Sequence, residues 1–161
     1  MNTRAIFGIS FVMSLLSSVI AAVLFAWPWL RTMDGERALI WLVAPHMFLR
    51  FIGLSFLIPG IVFSSLSKAW ALPAGYGDFG AGLLAIIATA ALANSATWAV
   101  AAVWMFSSWG ALDLIFALYQ GARVQLDPSS LGPAFYIVTA VVPPLLVSHA
   151  LIFGILMQSA R

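Results

Sequence analysis

The stretch ALIWLVAPHMFLRFIGLSFLIPGIVF, residues 38–63, decides the fold of this chain. It is apolar and, as a helix, long enough to cross a hydrocarbon core of about 30 Å, yet it contains His46 and Arg50. Side chains four residues apart project from the same face of a helix, about one turn from each other. Because a charged group at membrane depth faces protein or a water-filled cavity rather than lipid, we expect other helices to supply partners for this face.

The composition indicates a membrane protein. Of the 161 residues, 63% are hydrophobic and 7% are charged, whereas roughly 25% of residues are charged in soluble domains. Several apolar runs reach the ~20 residues that span a bilayer, so lipid is the expected partner. The chain contains no cysteine, which excludes disulfides and cysteine-based metal sites. Its few lysines and arginines are scattered, and this pattern predicts no nucleic-acid partner.

The apolar runs predict an all-α fold: an integral membrane bundle of five transmembrane helices that forms a single transmembrane domain over residues 1–161. The first run is longer than the ~7–15 apolar residues of a signal peptide, so we expect it to be a span. The predicted spans are about 5–30, 38–63, 78–105, 109–124 and 133–158. Lysine and arginine divide equally between the two sides, so the positive-inside rule leaves the orientation open.

Local signals define the ends and the packing of these helices. Asp78 is a suitable N-cap for the third helix, a tight turn is expected at residues 106–108, and Pro143–Pro144 is expected to break the fifth helix. A small residue recurs at every fourth position of the third span, which predicts close approach of another helix along this stripe. Its members are Ala81, Ala85, Thr89, Ala93, Thr97 and Ala101.

Four of the predicted spans carry a polar group in the same half of the membrane. At about 1.5 Å per residue, the second-span histidine lies roughly 12 Å and the fifth-span histidine roughly 13 Å from the same face. We expect the Arg50 guanidinium to lie near the Asp113 carboxylate, since Asp113 is the only acidic residue well inside a predicted span. The predicted polar layer consists of His46, Arg50, Asn94, Asp113 and His149.

This layer has a structural interpretation and two functional ones. Structurally, it is a buried ion pair with hydrogen bonds that fix the helix packing. Functionally, intramembrane ionisable groups often mark proton paths, and histidine titrates near neutral pH. Alternatively, His46 and His149 are the two axial ligands of a b-type haem held between helices. Apart from that alternative no cofactor or metal is expected.

The sequence offers no catalytic residues. It contains no HExxH zinc motif, no GxSxG nucleophile elbow and no phosphate-binding glycine loop with a lysine. Enzymatic activity is therefore not indicated.

Several segments spread over most of the chain resemble a family of small, uncharacterised bacterial inner-membrane proteins. They are RFIGLSFLIPG (residues 50–60), AGYGDFGAGLLAI (74–86), WGALDLIFALYQG (109–121) and VPPLLVSHALIF (142–153). The resemblance implies a multi-pass protein of the bacterial inner (cytoplasmic) membrane. No activity is attached to that family, so it implies no catalytic residues.

Three classes of function remain open at this point. The first is a structural or accessory subunit of a membrane complex, which is the reading the sequence favours. The second is a small proton-coupled transporter or proton-conducting protein that uses the polar layer. The third is a bis-histidine haem electron carrier. Because five spans make a thin bundle with much free surface, we also expect a homo-oligomer or a larger membrane complex.

Overall fold

The computed structural model describes residues 2–159 and contains helices and connecting turns but no β-strand within that range. Five helices are each long and apolar enough to cross a membrane. The fifth consists of a π-helical turn at Ile137–Val141 and the α-helix Val142–Ser159. The helices are α1 (Thr3–Leu30), α2 (Gly35–Leu57), α3 (Lys68–Ala93), α4 (Ala99–Arg123) and α5 (residues 137–159). The prediction of an all-α fold is confirmed.

The predicted boundaries of the third and fourth helices were wrong. Helix α3 begins ten residues before the predicted start, and the turn that follows it lies at residues 94–98 rather than 106–108. Asp78 is therefore not an N-cap but a buried residue in the middle of α3. The error came from reading Pro73 and its neighbouring glycines as a loop, whereas membrane-type helices tolerate proline and glycine.

The second helix also departs from its predicted span. It is α-helical over Gly35–Val43 and His46–Leu49 and continues as a 3₁₀-helix over Arg50–Leu57. It ends before residue 63 because Ile58 is extended ahead of Pro59 and Gly60 has a φ of +93°, a conformation that favours glycine. The first and last spans lie within a few residues of their predicted bounds.

Prolines within α1 and α5 are accommodated without breaking either helix. Proline lacks an N–H and its ring clashes with the carbonyl one turn earlier. In α1 a π-helical turn at Ala22–Ala26 immediately precedes Trp27 and Pro28, and in α5 the π-helical turn precedes Pro143. The predicted break at Pro143–Pro144 is thus a local widening of a continuous helix.

Helix α3 forms the centre of the bundle and packs most extensively against α2 and α4. The predicted small-residue stripe is correct only at one end: Ala81 and Ala85 are fully buried, whereas Ala93 is exposed. A strict four-residue repeat rotates by about 40° per step around an α-helix, so it leaves the packing face within a few steps. The buried face instead alternates steps of four and three residues, through Ala74, Asp78, Ala81, Ala85, Ala88 and Leu92.

The interior contains two large apolar cores with a polar zone between them, and a small third cluster formed by Leu114, Val142 and Leu145. One core lies toward the turn between α3 and α4 and includes Val43, Phe106 and Ile152. The other lies toward the opposite end of the bundle and includes Phe56 and Leu131. On each of α2, α3, α4 and α5 the buried polar residues fall, in chain order, between the residues of these two cores. This zone is the candidate site.

Candidate functional site

The site is built around the guanidinium of Arg50, which is completely buried. We call Arg50 and its polar neighbours the Arg50 cluster: His46, Asp78, Ser107, Asp113, Ser148 and His149. Helix α2 positions Arg50 where its α-helical part passes into the 3₁₀-helix. Arginine is a donor with five N–H groups and is always charged in proteins, so its burial requires acceptors from the surrounding helices.

Every N–H group of Arg50 has an acceptor. Nη1 donates to Asp78 Oδ1 at 2.6 Å and to Asp113 Oδ2 at 3.1 Å. Nη2 donates to the Gly110 carbonyl at 2.7 Å and to His149 Nε2 at 2.9 Å. Nε donates to His46 Nδ1 over a longer 3.4 Å. One side chain therefore links α2, α3, α4 and α5.

The two carboxylates on Nη1 leave the cluster with an excess of negative charge. If both Asp78 and Asp113 are ionised, two negative charges face the single positive charge of Arg50. An unbalanced charge in a low-dielectric interior is costly. A proton on one carboxyl group, or a bound cation, makes the cluster neutral.

The two histidines act as hydrogen-bond acceptors toward Arg50, because the guanidinium can only donate. Each imidazole then carries its proton on the other ring nitrogen and donates it to a serine hydroxyl. His46 Nε2 lies 2.7 Å from Ser148 Oγ, and His149 Nδ1 lies 2.9 Å from Ser107 Oγ. In this arrangement both imidazoles are neutral.

The geometry does not fit a bis-histidine haem. The ring centroids of His46 and His149 are 4.7 Å apart, so the two imidazoles are in direct contact. A haem held by two axial histidines needs the porphyrin ring and its iron between the imidazoles. No space for a porphyrin exists between these rings, and all four of their nitrogens have protein partners.

Three glycines allow the helices to approach the cluster closely. A Cβ at Gly110 on α4 would lie 2.7 Å from the His149 ring and 2.8 Å from Arg50 Nη2. A Cβ at Gly53 on α2 would collide with the Asp78 carboxylate, and one at Gly77 on α3 would collide with that of Asp113. The charged groups therefore occupy the space that side chains would fill at these positions.

The acidic side of the cluster borders a cavity of about 290 Å³. Asp78 and Asp113 both line it, and the remaining walls are mostly apolar. The cavity extends from the carboxylates toward Arg4 and Pro128, and so toward the end of the bundle where α1 begins and α4 ends. Its aromatic wall includes Trp70, whose Nε1 donates to the Ala117 carbonyl at 2.8 Å.

On the histidine side, a groove of about 890 Å³ runs between α1, α2 and α5. Ser148 lines this groove and its hydroxyl donates to the Leu145 carbonyl at 2.8 Å while contacting His46. Polar contacts thus lead from the cavity through the carboxylates, Arg50 and His46 to Ser148.

The structure brings together four of the five residues of the predicted polar layer: His46, Arg50, Asp113 and His149. The expected contact between Arg50 and Asp113 is present. Asn94 is not part of the cluster, because it is the exposed C-cap of α3 and its side-chain amide donates to the Ala90 carbonyl at 2.8 Å. Its inclusion followed directly from the wrong boundary between α3 and α4.

Sequence reasoning missed Asp78, the second carboxylate on Arg50. A usable signal was present, since Asp78 lies four residues after Ala74 and three before Ala81, on the buried face of α3. Ser107 and Ser148 were also missed. A serine is common in membrane-type helices, and nothing in its local sequence indicates that it contacts a histidine on another helix.

The family model described as a domain of unknown function (DUF8737) matches residues 6–157, a range that contains the whole Arg50 cluster. No curated protein and no solved structure matches this chain. The match carries no activity, so the geometry of the cluster is the basis for an inference about function.

Proposed function

Since the chain belongs to the DUF8737 family, whose description states no function, we propose from its geometry that it is a small proton-coupled membrane transport protein. In this proposal Asp78 and Asp113 together hold one proton and release it toward the cavity. The observation that carries the proposal is that two carboxylates share one guanidinium nitrogen at the wall of a cavity.

The charge balance supports a proton-binding role for this pair. A single aspartate on Arg50 would already neutralise it, so the second carboxylate is not needed to stabilise the buried arginine. Two close carboxylates favour a state in which one of them is protonated, since their charges repel each other. The cavity gives that proton a route in and out that the histidine side does not share.

The position of Arg50 favours a carrier over a proton-conducting protein. The polar contacts between the cavity and Ser148 pass through the guanidinium. Arginine does not deprotonate in proteins, so a proton cannot be relayed through it. In proteoliposomes under an imposed membrane potential, we therefore expect no proton flux above that of empty liposomes. Flux that disappears in Asp113→Asn would contradict the carrier and favour conduction.

Proton binding is tested by potentiometric titration of the purified protein in detergent. We expect the wild type to release about one more proton than Asp113→Asn between the acid and alkaline ends of the range in which the helices persist. Asp34→Asn, at an exposed helix N-cap, is the matched control for an aspartate outside the cluster. Identical titration curves of the wild type and Asp113→Asn would remove the basis for the proposal.

A structural or accessory role is the second candidate, and a different observation favours it. All five N–H groups of Arg50 are bonded and hold four helices together, as expected of a group that specifies packing. Under this interpretation the loss of Asp113 affects only stability. Normal stability combined with lost proton release in Asp113→Asn would separate the two candidates in favour of transport.

We further propose that the five helices span a bilayer, in a bacterial inner membrane according to the resemblance described above, and that the chain associates into a homo-oligomer or larger complex. The apolar surface of α1 supports this, because within Thr3–Ala21 no residue is buried although the segment is strongly apolar. A monomeric mass in mild detergent, with the helix content intact, would contradict self-association.

A further inference from the structure

We propose that the cavity beside Asp78 and Asp113 binds an organic ammonium ion with a small apolar body, which takes the place of the proton on the carboxylate pair. This inference rests on the proposed function, since it names the class of substrate that exchanges with the proton. It also makes a separate claim, because the pair can exchange a proton without accepting any amine.

The carboxylate end of the cavity selects a cation, and Arg4, which also lines the cavity, is the one positively charged residue that the described part of the chain contributes to its wall. Each carboxylate bonds to Arg50 through one oxygen only, Oδ1 of Asp78 and Oδ2 of Asp113. Within residues 2–159 no hydrogen-bond donor is found for the second oxygen of either carboxylate. Asp78 is 7% exposed and lines the cavity, so a donor bound there can reach its carboxylate. An ammonium group supplies up to three N–H donors together with the missing positive charge.

The remaining wall selects an apolar body. Phe56 and Trp70 line the cavity and are in edge-to-face contact with each other, with ring centroids 4.9 Å apart. Aromatic rings attract cations over their faces and also accommodate alkyl groups. Trp70 Nε1 is already bonded to the Ala117 carbonyl, so this ring does not require a polar ligand. The volume of about 290 Å³ is at the small end of ligand pockets, which limits the ligand to a short apolar chain beside its amino group.

The exchange balances without any chemical change in the ligand. The protonated pair releases one proton to water, and the ligand enters as R–NH₃⁺ and forms N–H···O bonds with the carboxylates. One positive charge leaves and one arrives, so the cluster keeps its net charge in both states. No covalent bond of the ligand is made or broken. Coupling of an ammonium ion to a proton moving in the opposite direction follows directly from this competition.

Calorimetric titration with hexylammonium, compared with hexan-1-ol, tests the inference on the intact wild-type chain in detergent. The two compounds have the same apolar body, so their difference isolates the charged group. We expect hexylammonium to bind at least about tenfold more tightly, as for hydrogen bonds to a charged group. Repeating the titration in two buffers of different ionisation enthalpy counts the protons released, and we expect about one per ligand.

Variants test whether the ligand binds in this cavity. Ala117→Phe fills the cavity without changing a charged group, and Ala101→Phe makes the same change at an exposed position of the same helix. We expect Ala117→Phe to abolish hexylammonium binding and Ala101→Phe to retain it. If Ala117→Phe fails to fold, Asp113→Asn, which is nearly isosteric, is expected to lose the preference for hexylammonium over hexan-1-ol.

The outcomes distinguish this inference from the proposed function. Equal binding of the amine and the alcohol, or equal amine binding by the Ala117→Phe and Ala101→Phe variants, overturns the inference and leaves proton binding by the pair untouched. Amine binding in the cavity without proton release supports the ligand class but contradicts the proton exchange on which the proposed transport function depends.

Discussion

The two sides of Arg50 have opposite characters although one guanidinium holds them both. On one side, two carboxylates share Nη1 and line a cavity. On the other side, two neutral imidazoles accept from Nη2 and Nε, donate to serines, and pack against the ring of Phe106 at 5.0 and 5.2 Å. The histidine side is satisfied and closely packed, whereas the acidic side has excess charge and free oxygens. This difference is the basis of our proposal that the histidines support the structure and the aspartates exchange the proton.

Arg50→Gln removes the group common to both sides and is expected to have the largest effect. It leaves two buried carboxylates without a counter-charge and two imidazoles without their donor. Breaking a buried ion pair from one side costs about 3–5 kcal/mol, so we expect the variant to unfold or to lose most of its thermal stability in detergent. Arg37→Gln, at an exposed position of α2, is the control. Wild-type stability of Arg50→Gln would show that the cluster does not hold the bundle together.

Gly110→Ala perturbs the histidine side and is expected to have the second-largest effect. The added methyl group would lie within 2.7 Å of the His149 ring and 2.8 Å of Arg50 Nη2, and overpacking of this kind costs about 1–3 kcal/mol. The matched control is Gly8→Ala on α1, where nothing lies within 4 Å of the new Cβ. Thermal unfolding of the two variants measures the difference. Equal stability would mean that the histidine side is loosely packed, and the contrast between the sides would be lost.

Asp113→Asn perturbs the acidic side and is expected to be milder. It leaves Arg50 paired with Asp78 in a neutral cluster, and the amide oxygen can still accept from Nη1. We expect a loss of stability of less than about 1 kcal/mol, within the range of a single hydrogen bond, together with loss of proton release. A loss as large as that of Arg50→Gln would indicate that both carboxylates are structural.

Changes at exposed positions outside the cluster are expected to have the smallest effects. Asn94→Ala removes a side-chain bond at an exposed helix end, and Ala93→Leu enlarges an exposed side chain. Substitutions at such surface positions usually change stability by less than about 0.5 kcal/mol. Ala85→Leu, the same change at a fully buried position of α3, is the matched comparison for Ala93→Leu and is expected to destabilise by about 1–3 kcal/mol. Equal effects of the two leucine variants would contradict the packing face described for α3.

The helical fold and the central residues could be predicted well from the sequence. The length of an apolar run and the presence of a charged residue inside it are local signals. Arg50 in an apolar run requires an acid, and Asp113 was the only one well inside a predicted span, since Asp78 was placed at the end of its span. The second acid was missed because the glycines and proline around Asp78 resemble a loop. In the fold, those glycines let neighbouring groups approach the backbone closely. Gly77, for example, lies directly against the Asp113 carboxylate.

Other features depend on three-dimensional packing and leave no local signal. The matched depths of His46 and His149 are compatible with two axial ligands or with two touching rings, and only the 4.7 Å separation of their centroids decides between these. Likewise, side chains from all five helices line the cavity, among them Phe7, Phe56, Trp70, Ala117 and Val138. No spacing in the chain indicates an empty volume.

Infrared spectroscopy of the carboxyl groups during a pH titration tests the central claim most directly, because a protonated carboxyl and a carboxylate absorb at different frequencies. The account predicts that one protonated carboxyl group per chain is lost as the pH rises while the helices stay intact, and that this band is absent in both Asp78→Asn and Asp113→Asn. A spectrum in which the band does not change across that range, or in which the change persists in both variants, would contradict the assignment of Asp78 and Asp113 as an exchanging pair.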